Sequence, residues 1–215
     1  MNIPISQLRR EYTRGELTED KVSKDPLQQF RIWFQEAVEA EGILEPNAMT
    51  LATVTPEGKP RARTVLLKEL DERGFTFFTN YESRKGLEME KNPWVSLVFW
   101  WAPLERQVCI EGRIEKLTPQ ESDEYFQTRP RGSQLGAWAS RQSEVVPNRQ
   151  FLENRLAEVT RQYEGKEVPR PPYWGGYRVV PHRIEFWQGR EDRLHDRLEY
   201  YLDENQQWQM VRLSP

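Results

Sequence analysis

Apolar residues along the chain recur first at helical and then at strand spacing, and the change of period marks out the elements. Leu27, Phe30, Trp33, Phe34, Ala37 and Val38 trace one face of a helix, and Asp25-Pro26 ahead of them supplies an N-cap with proline at the first helical position. The spacing predicts an amphipathic helix ending around Gly42. From Met49 the period shortens to two. Residues 49–54, 61–68 and 75–79, separated by turn formers at 56–60 and 71–74, read as a three-stranded meander. Ser83 caps a short predicted helix that stops at Asn92-Pro93, and residues 95–101 and 106–117 read as two further strands. Thr118-Pro119-Gln120-Glu121 combines a capping box with proline at the first helical position; it opens a helix to about Thr128, with Tyr125 and Arg129 one turn apart on one face. A cationic loop at 129–133, a short segment at 134–138 and a polar helix from about Asn148 to Tyr163 follow, then an extended proline-rich connector at 169–172. Residues 177–188, 193–202 and 208–213 read as strands.

A turn at 189–192 would pair two of these strands as a hairpin and set Arg193, His195 and Arg197 on one face. Such a row calls for something anionic or electron-rich across it, or else it is a solvated face partnered by Asp196 and Glu199. About eight strands in mainly antiparallel order, with helices inserted and flanking, predict an α+β barrel in place of a doubly wound sheet. Residues 1–20 carry too little apolar surface to hold the short helix that Ser6 would cap and read as a flexible arm, with 21–215 a single domain.

Composition narrows the chemistry. A net charge of −3 over 215 residues argues against a general nucleic-acid binder, so local cationic clusters serve small anions. One cysteine, Cys109, and two histidines leave no disulfide framework and no zinc set, and metal ligation is not expected. His182, after Pro181, reads as structural. No signal-peptide core stands at the start, and the longest apolar run falls well short of the ~20 residues that span a bilayer, so the chain reads as cytoplasmic. Rossmann, P-loop and nucleophile-elbow patterns are all missing. What remains is a set of distributed cations: Arg63, Lys68, Arg84, Lys85, Arg129, Arg131, Arg193 and Arg197. Arg84 and Lys85 fall in a first helical turn, where the dipole favours anions, which makes sense if an anion binds there. Arg63 and Lys68 lie on opposite faces of a regular strand and would serve different ligands. Cations and aromatics without a nucleophile point to a cofactor that carries the chemistry.

The segment Ile184-Glu185-Phe186-Trp187-Gln188, followed by Arg193-Leu194-His195-Asp196-Arg197, resembles the C-terminal signature of the pyridoxine/pyridoxamine 5'-phosphate oxidases. The likeness extends through Leu8-Arg9-Arg10-Glu11-Tyr12, residues 63–68, Ser83-Arg84-Lys85, Leu104-Glu105-Arg106-Gln107-Val108, Ser133-Gln134-Leu135-Gly136-Ala137-Trp138 and Tyr173-Trp174-Gly175-Gly176. Glu45-Pro46-Asn47-Ala48-Met49 departs from it, since the family often carries Asp where Glu45 stands. The resemblance implies an FMN-binding split β-barrel homodimer, with cofactor sites at the subunit interface. It assigns FMN phosphate and ribityl contacts to Arg63, Arg84, Lys85, Gln142 and Ser143, and the flavin lining to Thr64, Val65, Leu66, Leu67, Lys68, Phe78 and Thr79. Gln107, Trp187 and Arg197 would hold the isoalloxazine edge. Substrate phosphate would fall to Lys68, Tyr125, Arg129 and Ser133; Arg193, Leu194 and His195 would face the pyridine ring, under a lid of Arg9, Arg10, Glu11 and Tyr12.

The activity implied is oxidation of pyridoxamine or pyridoxine 5'-phosphate to pyridoxal 5'-phosphate, a vitamin B6 salvage step. FMN takes the hydride, and O2 is the final acceptor, giving H2O2, with NH3 released from the amine. Arg197, His195 and Arg193 would be the catalytic set, and neither nucleic acid nor membrane is expected as a partner. Two other readings stay open: a split-barrel flavin reductase with no need of the Lys68, Tyr125, Arg129 and Ser133 set, and a carrier that binds flavin or pyridoxal phosphate without turnover.

Overall fold

Three helix starts form where the local chemistry places them. In the computed structural model, which describes Leu8 and residues 11–215, helix α1 (Pro26–Glu39) begins with the Asp25 carboxylate accepting the Leu27 N–H at 2.9 Å. Its stripe is narrower than the periodicity predicts: Leu27, Phe30, Trp33 and Ala37 are buried, whereas Val38 is exposed. The helix stops short of Gly42. Helix α2 (Arg84–Lys91) is capped by Ser83 and carries no acidic residue in its first turn. Helix α3 (Pro119–Thr128) has both arms of its capping box, Thr118 and Glu121. Helices α4 (Arg131–Ala139) and α5 (Arg149–Gln162) follow.

The strands are β1 (Ala48–Val54), β2 (Pro60–Leu66), β3 (Glu69–Leu70), β4 (Phe75–Asn80), β5 (Trp94–Trp101), β6 (Arg106–Lys116), β7 (Trp174–Gln188), β8 (Asp196–Leu202) and β9 (Trp208–Arg212). They lie in the order β2-β1-β5-β6-β7-β4-β3, with β8 pairing β7 and β9 pairing β8. The chain divides into two compact units, one made of residues 1–50, 96–111 and 181–215 and the other of 51–95 and 112–180. In the first, Phe30 packs edge-on to Phe99 and Trp33 edge-on to Phe186; each such ring removed from water contributes roughly 1.5–3 kcal/mol. In the second, Phe75 and Phe77 of β4 pair with Val179 and Tyr177 of β7, and all four are buried. A satellite core of Phe126, Leu135, Val159, Val168 and Trp174 seats α3, α4 and α5.

Four expectations change. The three-stranded meander does not form: β1 and β2 are neighbours, but β4 pairs β7 and the short β3. Residues 131–133 are not loop but the first turn of α4, with Pro130 at the cap position. The strand predicted over 61–68 ends at Leu66, so strand alternation does not govern Lys68. The hairpin row also fails. Strand β7 ends at Gln188 and β8 begins only at Asp196, and Asp192 and Arg193 sit at φ 53° and 61° in left-handed backbone. Of the three predicted row members, only Arg197 lies on a strand, directly opposite Trp187. The β7–β8 pairing ends at Gln188 opposite Asp196, and the intervening residues close on themselves through the Arg190 N–H, donated to His195 Nδ1 at 3.0 Å.

Candidate active site

Within the second unit, the end of β2, β4, the start of α2 and the α3–α4 junction line a cavity of about 700 Å³, a size typical of ligand sites. Thr64, Val65, Leu66, Lys68, Phe78, Thr79, Lys85, Tyr125, Arg129, Ser133 and Gln142 all border it. Lys85 Nζ donates to Gln142 Oε1 at 3.0 Å, and the Thr79 hydroxyl donates to the same oxygen at 3.2 Å. Burial, together with the neighbouring Arg63 charge, pulls the Lys85 ammonium down to about 8, with Glu88 opposing. Beside α2, the Arg84 N–H donates to Ser143 Oγ at 3.3 Å.

Arg129 occupies the other end of this set. Its guanidinium lies 4.5 Å over the Trp174 ring, and its Nη1 is buried without a hydrogen-bond partner among the described residues. Burial lowers its pKa. An aromatic face offsets part of the cost of burying that charge, yet an unpaired buried donor of this kind remains costly until an anion meets it. Trp174 is also parallel to Tyr125 and Phe78: Phe78 stacks on Tyr125 at 3.7 Å and on Trp174 at 5.5 Å.

Arg63 does not border the cavity. Its Nη1 donates to Thr53 Oγ1 at 2.6 Å and to the Leu51 carbonyl at 3.1 Å, and its Nη2 to Glu88 at 3.1 Å. Glu88 is buried and also accepts from Arg61 and Thr53. Leu67 is buried in the protein interior and not among the cavity-lining residues.

The first unit holds a second cavity, of about 1170 Å³, bordered by Glu11, Tyr12, Gln107, Trp187, Arg193 and His195 together with Trp100 and Arg190. Trp187 and His195 rings lie 4.7 Å apart, and Tyr12 stands edge-on to both. Because Nδ1 of His195 accepts the Arg190 N–H, the neutral imidazole carries its proton on Nε2. Arg197 forms a two-pronged pair with Glu185, both bonds at 2.9 Å, and its Nη1 donates to the Ser214 carbonyl. That pairing raises its pKa further. Leu194 is largely exposed and borders a neighbouring cleft with Arg14 and Glu16. Arg9 and Arg10 lie outside the described residues. The Cys109 thiol is pushed up to about 11 by burial and by Glu185 and Glu111, which leaves it protonated and a poor nucleophile. No cluster of His, Cys, Asp and Glu able to hold a metal occurs among the described residues, and no helix among them is long and apolar enough to cross a membrane.

Residues 34–163 match the family model described as pyridoxamine 5'-phosphate oxidase, and residues 174–215 match the pyridoxine 5'-phosphate oxidase C-terminal dimerisation region. The chain belongs to the pyridoxamine 5'-phosphate oxidase family. A pyridoxine/pyridoxamine 5'-phosphate oxidase of Cyanothece sp. is 60% identical over the whole of both chains, and one of Rubrobacter xylanophilus is 62% identical over 98% of this chain and 96% of its own. Among solved structures, PhzG from Burkholderia lata, in complex with tetrahydrophenazine-1-carboxylic acid, superposes with a TM-score of 0.86 at 34% identity, covering 93% of this chain and 98% of that one. A pyridoxamine 5'-phosphate oxidase-related, FMN-binding protein of Nostoc punctiforme has a TM-score of 0.71 at 16% identity, covering 90% and 100%, and shares the fold. The fold is therefore the mainly antiparallel split β-barrel of this family, as the sequence resemblance implied.

Several residues that line or brace these two sites were given no role by the sequence. Trp174 sits inside a motif the resemblance quotes, without a role attached, and Trp100 lies in the predicted strand 95–101. Arg190 follows Trp187-Gln188-Gly189 in what reads as a turn, and Glu88 carries no signal beyond its place in α2.

Proposed function

We propose that the chain is an FMN-dependent oxidase that converts pyridoxamine or pyridoxine 5'-phosphate to pyridoxal 5'-phosphate, releasing NH3 from the amine, with homodimer sites built from both subunits. The observation that carries this reading is the buried Nη1 of Arg129, without a partner among the described residues, on the same cavity as Lys68, Tyr125 and Ser133, a ready receptor for a substrate phosphate. A second anion fits elsewhere on the same cavity wall: Lys85 is buried at the acid-free start of α2. Two phosphorylated ligands have two separate cationic ends, and the residues fit FMN at the second. The curated relatives named for this oxidation, at about 60% identity over the full chain, support the same conclusion.

FMN, when bound, would supply the two-electron acceptor for the hydride lost from C4', and its reoxidation by O2 with uptake of a proton would give H2O2; on the amine route water would hydrolyse the imine to the aldehyde and NH3. Everything else falls to side chains. Lys85, Arg84, Gln142 and Ser143 hold the cofactor phosphate and ribityl chain, with Arg63, fixed by Glu88, adding positive potential behind Lys85. Thr64, Val65, Leu66, Phe78 and Thr79 wall the ring system. Gln107, Trp187 and Arg197 hold its edge; among the described residues three of the five N–H donors of Arg197 are used, and the other two are turned to stabilising negative charge. His195 and Arg193 orient the pyridine ring, and the Nε2–H of His195 is a donor toward it. The chain's contributions to rate are the positioning of the two rings and the cations that stabilise negative charge on the flavin.

The test is direct: purify the protein, look for a flavin absorption band, and follow aldehyde and H2O2 formation from pyridoxamine 5'-phosphate in air. A colourless protein that FMN cannot reconstitute, or a yellow one that makes no aldehyde, would defeat the reading.

A further inference from the structure

Glu105 is the side chain of the first unit that the proposed mechanism leaves unused and that its surroundings single out. It is 1% exposed, and it sits at φ 56°, ψ 40°, left-handed backbone that glycine adopts without penalty and a residue with a Cβ does not. A carboxylate kept at such a position needs a reason, and its hydrogen bonds supply one. Oε2 accepts the consecutive N–H groups of Thr13 and Arg14, at 2.8 and 3.0 Å. The Glu105 backbone carbonyl accepts the Gly189 N–H at 2.8 Å and the Gln188 side-chain amide at 3.3 Å. One residue thus ties the segment around Thr13 to the end of β7.

The same segment is held on both sides of that tie. Arg190 donates to the Gly15 carbonyl at 3.3 Å, and the Leu17 N–H donates to Asp196 at 3.0 Å. On the other side Tyr12 stands edge-on to Trp187 and His195, and a Cβ on Gly189 would come within 2.6 Å of the Tyr12 ring, so Gly189 stays bare where Tyr12 lies.

We propose that Glu105 is a positioning residue: its buried carboxylate anchors the root of the N-terminal arm at Thr13 and Arg14, so that Tyr12 is delivered onto the Trp187–His195 face of the substrate site. The carboxylate touches no reacting atom. Its effect on turnover passes through Tyr12, and that part rests on the proposed function; the anchoring itself does not.

Glu105→Gly tests this without straining the turn, because glycine tolerates the backbone conformation. The first readout is the rate of tryptic cleavage after Arg14 in the FMN-loaded protein, followed by mass spectrometry. Releasing the two N–H groups should speed it about tenfold or more. Glu105→Gln keeps one acceptor and should fall between wild type and Glu105→Gly. The second readout is steady-state kinetics with pyridoxamine 5'-phosphate: KM should rise about tenfold while kcat stays within about twofold, since the arm contributes binding and not chemistry. Gly189→Ala, which crowds Tyr12 and keeps the carboxylate, should raise KM without exposing the Arg14 bond. Equal cleavage rates in wild type and Glu105→Gly would overturn the anchor. Faster cleavage with unchanged KM would overturn its role in the site. A protein that shows the cleavage pattern and no turnover would locate the failure in the assigned reaction.

Discussion

Lys85 makes the cofactor site sensitive to pH in a direction that can be worked out. Its ammonium titrates at about 8, first because it is buried and second because Arg63 lies near. A flavin phosphate, with a second pKa of ~6, is fully dianionic there, so FMN affinity of the apoprotein should fall as pH rises through about 8 and the cation is lost. Fluorescence titration of free FMN against pH measures this; a flat profile between pH 7 and 9.5 would exclude Lys85 as a phosphate ligand. Stability should move the other way. An unfolded lysine holds its proton to its ordinary 10.5, so between about 8 and 10.5 the unfolded chain binds the extra proton and the apoprotein gains stability with pH. Glu88 enters the same balance, because it raises the Lys85 pKa and holds Arg63 and Arg61. Glu88→Gln should shift the loss of FMN affinity to lower pH. Glu88→Ala should in addition cost about 2–4 kcal/mol in urea unfolding, since the Arg63 and Thr53 donors then lack their acceptor.

At the scale of elements, β7 opens with Trp174-Gly175-Gly176, and those glycines are there for packing. A Cβ on Gly176 would stand 2.4 Å from Leu117 and 2.8 Å from Phe78, and one on Gly175 would stand 2.0 Å from the Tyr81 hydroxyl. Gly176→Ala should therefore push Phe78 out of its stack with Tyr125 and Trp174, costing about 1–3 kcal/mol of stability and raising KM for pyridoxamine 5'-phosphate more than it lowers kcat. Thermal unfolding and steady-state kinetics check both; a neutral substitution would mean that the stack does not set the cavity wall. In the sequence this Gly-Gly pair is too short to read as a phosphate loop, and its real meaning, close approach of side chains from β4 and residue 117, is not visible without the pairing of β4 with β7. Legibility follows the range of the signal. The caps at Asp25, Ser83 and Thr118 act over two to three residues, and all three helices start where those residues put them. Strand partnership is decided about a hundred residues away, and the predicted β2–β4 neighbourhood gave way to β4–β7. The row of Arg193, His195 and Arg197 dissolved for a subtler reason: alternation continues in the residue types, while the backbone turns left-handed at Asp192 and Arg193, which neither residue announces. For the site, motif residues such as Lys85, Tyr125 and Arg129 come together in one cavity, whereas the groups that brace or flank them, Glu88 and Trp174, were given no role by the sequence.

At the scale of the whole molecule, the cationic cavity and the Trp187–His195 cavity belong to different compact units of one chain. The C-terminal match is to a dimerisation region, and the proposed function places each site at a subunit interface. If a site takes its phosphate receptors from one subunit and its Arg193–His195 group from the other, two crippled chains can rescue each other. Arg129→Leu inactivates the first contribution, and His195→Ala with Arg193→Ala the second. In a mixed dimer one site would receive both defects and the other neither. Denaturing the two variants together at equal amounts and refolding them with FMN pairs chains at random, so half of the dimers are mixed and each has one intact site of two; activity should return to about a quarter of the wild-type level. If both contributions to a site come from the same chain, every site in the mixture carries a defect and activity stays at that of the variants alone. Size-exclusion chromatography on the refolded mixture establishes that dimers have formed, which ties an absence of rescue to the geometry of the site and not to a failure of assembly.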